Sequence, residues 1–141
     1  MWKKLLSVVV LTLLLTACAG ASQPATEITL DAADFAYSPA SVTVPVGAPV
    51  VLTLKNSGHV EHDFVIEKID VKSVLKKDSG SAAHHAHGEE MDFDLHISAQ
   101  PGDTSVLEFT ISEPGTYTFF CSVVGHKEAG MFGELIVVTQ E

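Results

Sequence analysis

The stretch "GTYTFFCSVVGHKEAGMFGELIVV" runs from Gly115 to Val138. Its first part reads as a strand, with Tyr117, Phe119 and Cys121 on one face, because side chains repeat every two residues. Gly133 to Thr139 reads as the next strand. Between them lies a glycine-bearing loop that carries His126 and Met131. A lone cysteine is ordinarily a buried free thiol, and a lone methionine ordinarily fills a gap in a core. Here thiol, imidazole and thioether follow one another as C-x4-H-x4-M, and soft donors set this close point to a metal.

A second histidine would complete the set. His62 is the best candidate, because it opens a strand (HDFVIE) after the turn signal Asn56-Ser57-Gly58. His59, three residues earlier, competes with it. His96 lies in a predicted strand and reads as a partly buried structural histidine. Two histidines and a cysteine, with a weak methionine bond, describe a type 1 (blue) copper electron-transfer site. The thiolate and thioether favour Cu(I), and the imidazoles serve both Cu(I) and Cu(II). Zinc is disfavoured, since methionine is a poor zinc ligand. The expected site is therefore His62, Cys121, His126 and Met131, holding one copper per chain.

Outward from this stretch, strand signals dominate. Val42, Val44 and Val46 alternate, as do Val50, Leu52 and Leu54, and again Leu107, Phe109 and Ile111. Leu95 and Ile97 suggest a further strand. Turns at Gly47-Pro49, Pro101-Gly102 and Pro114-Gly115 separate these runs. The expected fold is all-β, a two-sheet Greek-key sandwich of seven to eight strands. A long charged insert around 70–92 breaks the rhythm, with one or two helical turns over "DVKSVLKK". Within it His84, His85 and His87 stand among Glu89, Glu90 and Asp92. They read either as a solvated loop or as a second, weaker, exposed metal site.

The N-terminus reads as a signal. Lys3 and Lys4 precede an apolar run from Leu5 to Leu15, too short to span a bilayer comfortably. Leu15-Thr16-Ala17-Cys18 resembles a bacterial lipobox, in which Cys18 is lipidated. Residues 1–17 are then the signal peptide, 18–26 the lipidated cysteine with a flexible tether, and 27–141 the copper-binding domain. Loss of Lys3 and Lys4 leaves six lysines against 18 acids, so the net charge moves from −10 to −12. Such a surface excludes nucleic acid and favours cations or basic protein partners.

"NSGHVEHDF", taken with the Gly115–Val138 stretch, resembles the cupredoxin family of plastocyanin- and azurin-like small blue copper proteins. The likeness runs from Ile28 to Thr139, apart from the insert. It implies His62, Cys121, His126 and Met131 as the ligands. The C-x4-H half has azurin-like spacing, and H-x4-M is plastocyanin-like. Relatives often carry Asn after the first histidine and Pro before the glycine of the loop; here these are Asp63 and Val124. The resemblance also implies that Asp63 bonds Ser122 and latches the two ligand segments together, a supporting role next to the metal. An ionised Asp63 would favour Cu(II) and lower the potential.

The functional expectation is an electron carrier rather than an enzyme. It would sit outside the cytoplasm, periplasmic or at the cell surface, lipid-anchored to a bacterial membrane, and would serve redox proteins with a basic docking patch. The alternative is a copper-handling protein for delivery, sequestration or resistance, which the histidine-rich insert favours.

Overall fold

In the computed structural model, residues 23–79 and 93–140 are described. They form ten strands: β1 (Thr26–Ala33), β2 (Ala36–Ser38), β3 (Ser41–Pro45), β4 (Pro49–Asn56), β5 (His62–Ile66), β6 (Val71–Lys77), β7 (Leu95–Ala99), β8 (Thr104–Ile111), β9 (Gly115–Phe120) and β10 (Phe132–Val138). One five-stranded sheet has the order β2-β1-β4-β8-β6, and the other β3-β10-β9-β5-β7. Two pairings, β1 with β4 and β3 with β10, are parallel, and the rest are antiparallel. The all-β, two-sheet sandwich expected from the sequence is thus observed.

Alternation explains which faces meet. Val50, Leu52 and Leu54 of β4, Leu107, Phe109 and Ile111 of β8, and Leu135 and Val137 of β10 point inward and are buried. They join Phe64, Ile66, Phe119, Cys121 and Met131 in one apolar core. β5 is buried along its whole length. Strands covered on both faces lose the polar half of the alternation, which is why "HDFVI" reads as an almost unbroken apolar run after its first two residues.

Three strands go beyond the sequence expectation. β1 and β2 add a hairpin, and β1 already begins at Thr26, at the end of the stretch assigned to the tether. β6 occupies the first part of the expected insert and is a strand, not the helical turns the sequence suggests there. It pairs antiparallel with β8, across a register shift between Val71 and Ser73. As the outer strand of its sheet it leaves Val74 and Leu75 exposed and carries Lys72, Lys76 and Lys77. Charged edges of this kind deter further strand pairing, and they erase the periodicity that would have announced a strand. Residues 80–92, with His84, His85 and His87, and residues 1–22, with Cys18, lie outside the described residues.

The parallel pairing of β1 with β4 has a direct consequence for the site. It sets Ala32 beside Asn56, so both strands end at the same edge of the sandwich. β5 begins and β9 ends there too. Asn56 ties this edge together. Its buried side chain donates to Val60 O (2.7 Å) and Ala99 O (2.8 Å), and its Oδ1 accepts from Gly58 N (2.9 Å). Asn56→Ala removes the partner of three backbone groups, of which the Ala99 carbonyl is buried, and a buried unpaired group costs about 1–3 kcal/mol. We expect a loss of about 1–3 kcal/mol in denaturant unfolding. Unchanged stability would show that other partners replace the amide.

Candidate metal centre

Cys121 follows β9 directly, at the point where the strand leaves the sheet. Its backbone N–H donates to Met131 O (3.1 Å), and Met131 N donates to His126 O (2.9 Å). These bonds fold residues 121–131 into a closed loop. Gly125 and Gly130, with φ of 84° and 104°, take the left-handed backbone the two bends require. Each immediately precedes a donor residue, His126 and Met131.

The loop presses its donors against β5. The Nδ1 of His62 lies 3.8 Å from the Cys121 Sγ, and the Nδ1 of His126 lies 3.5 Å from it. The donor atoms of all three residues fall within 4.8 Å of one another. His62, Cys121 and Met131 are fully buried, and His126 is 7% exposed. The two imidazole rings are tilted against each other with centroids 5.1 Å apart. Two histidine nitrogens, a thiol and a methionine brought together out of water are a soft donor set, and this fits copper.

Electrostatics keep the set ready for a cation. Burial holds the His62 pKa below its ordinary value, so the ring is neutral and offers a lone pair. Burial, reinforced by the Asp63 charge, pushes the Cys121 thiol up to about 12. The thiol therefore gives up its proton only when a metal takes the proton's place.

Asp63 performs the latching expected of it. Its Oδ1 accepts from Ser122 N (2.6 Å), and its Oδ2 is bonded to the Ser122 hydroxyl. His96 Nε2 lies 3.6 Å from the same carboxylate. Burial alone would raise the Asp63 pKa, but the donors from His96 and Ser122 outweigh it and hold it below the usual carboxylate value. The buried Tyr37 hydroxyl donates to the backbone carbonyl of Asp63.

The competing histidine is excluded by position. The side chain of His59 is 91% exposed and pairs with Asp34 at 2.6 Å. His96, half-buried beside Asp63, has the structural role expected of it. Sequence reasoning missed the β1–β2 turn. There Asp34 Oδ1 lies 3.3 Å from His62 Nε2, and the Phe35 ring meets the His126 ring edge-on at 5.0 Å. No local motif marks these two residues. Only the long-range pairing of β1 with β4 carries them to the site.

Comparison with known proteins agrees with the geometry. Residues 24–138 match the family model described as copper binding proteins, plastocyanin/azurin family. The chain belongs to that family. It is 34% identical over 102 residues to a plastocyanin of Rumex obtusifolius, covering 72% of this chain and 87% of that one. It is 29% identical over 109 residues to the copper-resistant cuproprotein CopI of Rubrivivax gelatinosus, covering 72% of this chain and 59% of that one. The chain thus spans a little over half the length of that relative. Among solved structures, an auracyanin from Roseiflexus castenholzii superposes with a TM-score of 0.60 at 23% identity, covering 80% of this chain and 97% of that one.

His62, Cys121, His126 and Met131 together form a cupredoxin-type copper site. Cys121→Ser replaces the charge-donating sulfur with a hydroxyl. The copper-loaded variant should lose the intense visible absorption of a thiolate-bound copper while keeping its folded-state circular dichroism. Persistence of the colour would remove Cys121 from the site.

Proposed function

We propose that the protein is a one-electron carrier built on a type 1 copper centre, and not an enzyme in its own right. The burial of a matched His-Cys-His set, with both Nδ1 atoms turned to one sulfur, carries this reading. Copper held there supplies reversible exchange between Cu(I) and Cu(II). The protein's own residues do the rest. Cys121 would hold it as thiolate, His62 and His126 would hold it through Nδ1, and Met131 would serve as the fourth donor. Four protein donors leave no position for a substrate. A loop bonded to itself and latched to β5 changes little between oxidation states, and small rearrangement is what fast electron exchange needs.

Electrons would enter and leave at the edge of the sandwich nearest His126. Val124 is 95% exposed there, and Phe35 and Phe132 are each 52% exposed. An apolar rim excludes water and suits a brief contact with a larger redox protein. The acidic remainder of the surface favours partners with a basic docking face. The signal and the lipobox support a place outside the cytoplasm, on a lipid carried by Cys18 at a bacterial membrane. Mass spectrometry of the mature N-terminus reads this directly, and an unmodified start beyond Cys18 rejects the anchor.

A second reading, copper handling for resistance or delivery, is favoured by the similarity to CopI and by the histidines of the insert. The two differ in what happens to the metal. We expect the copper-loaded protein to cycle repeatedly between oxidation states, with rapid electron self-exchange, in the presence of a competing Cu(I) chelator. Metal loss within the first reductions would favour the handling role.

A further inference from the structure

The β1–β2 turn reaches into the metal centre at a point the ligand set does not account for. β1 and β2 pair as far as Ala33 and Ala36, which leaves Asp34 and Phe35 as a two-residue turn. Phe35 sits at φ 64°, a left-handed conformation that a bulky aromatic rarely adopts. Strain of this kind persists where the surroundings enforce it and often marks a functional position. Here it directs two neighbouring side chains to the two ligand histidines, Asp34 to the distal nitrogen of His62 and Phe35 to the ring of His126.

Gly58 supplies an independent observation. A Cβ built on it would lie 2.5 Å from Asp34 Oδ1 and 2.5 Å from His62 Nε2. The residue passes directly over the contact between those atoms and leaves no space for a side chain. The carboxylate is also aimed from its other side, since His59 N donates to Asp34 Oδ1 (2.9 Å) and the His59 ring meets Oδ2. Ser57 adds a backbone bond to Ala32 O (3.0 Å), tying the 57–59 turn to the end of β1.

We propose that Asp34 is a positioning residue of the copper centre. Its carboxylate accepts the Nε2–H of His62, fixes the tautomer that leaves the Nδ1 lone pair facing Cys121, and adds negative charge through that ring. Only the Nε2–H tautomer satisfies both ends of the imidazole at once, a donor toward Asp34 and a lone pair toward the metal. A carboxylate behind a ligand histidine makes the ring more basic and holds its orientation. The added charge favours Cu(II) over Cu(I). This inference rests on the copper reading above.

The test combines three variants with two readouts. In the metal-free full-length protein, nitrogen-15 NMR should show His62 protonated at Nε2, and that form should mix with the other tautomer in Asp34→Ala. In the loaded protein, Asp34→Ala should weaken Cu(II) binding about 10–100-fold, with a smaller loss for Cu(I). Asp34→Asn keeps an acceptor oxygen without the charge. It should hold the tautomer yet lower the Cu(II)-to-Cu(I) affinity ratio, and so raise the potential. Gly58→Ala forces the pair apart at unchanged charge and should reproduce the tautomer mixing. His59→Ala removes the exposed ring from Oδ2 but keeps the His59 N–H that holds Oδ1, and should leave the tautomer in place. If Asp34→Ala keeps the wild-type tautomer and Cu(II) affinity, or if His59→Ala matches it in both, Asp34 only braces the turn and the proposal fails. If the wild-type chain forms no thiolate-bound copper centre, the copper reading itself fails and this inference with it.

Discussion

The carboxylate of Asp63 is the constraint on which the site depends. β5 carries the first histidine and β9 leads directly into the cysteine, yet the two strands pair at a single position, Val65 with Phe120. Two residues further toward the site, the next opposed pair is Asp63 and Ser122. There the ladder is replaced by the Asp63 side chain, which takes both the backbone N–H and the hydroxyl of Ser122. The strands are thereby held apart by the length of a side chain. That separation is what lets His62 and Cys121 face each other across a space of metal-ion size. Burying a carboxylate is costly unless donors meet it, and Ser122, with His96 nearby, meets this one. Its charge is then fixed beside the thiol, with the same sense as a preference for Cu(II).

Other features of the site follow from that separation. The loop from Cys121 to Met131 can close on itself because its two ends are anchored, one by Asp63 and the other by the pairing of Phe132 with Phe120. Closure brings Met131 into the core and sets His126 under the exposed rim of Phe35 and Val124. The donors are therefore arranged by hydrogen bonds and packing that belong to the sandwich. A metal entering such a site meets a nearly finished cage.

Much of this was legible before the fold was known, and for identifiable reasons. C-x4-H-x4-M compresses three donors into eleven residues of one loop, so local sequence was enough. His62 needed only the recognition of a turn and a strand. The alternating strands β3, β4, β8 and β10 announced themselves because each has one wet face and one dry face. β6 was hidden because its lysines and exposed apolar residues follow no period; its pairing with β8 makes it a strand. Asp34 and Phe35 were hidden for a different reason. They lie 28 and 91 residues from the histidines they touch, His62 and His126. Such contacts are set by the parallel pairing of β1 with β4, which no short motif encodes.

The central claim is that hydrogen bonds of the protein, led by the Asp63–Ser122 latch, arrange the four donors before any metal arrives. High-resolution crystal structures of the metal-free, Cu(I) and Cu(II) forms test it most directly. The account predicts that the four donor atoms superpose within about 0.5 Å in all three forms, the tolerance of a preorganised site, with both Asp63–Ser122 bonds intact throughout. A metal-free form in which the 121–131 loop swings open, or in which Ser122 leaves Asp63, would show that copper builds the site and would contradict the account.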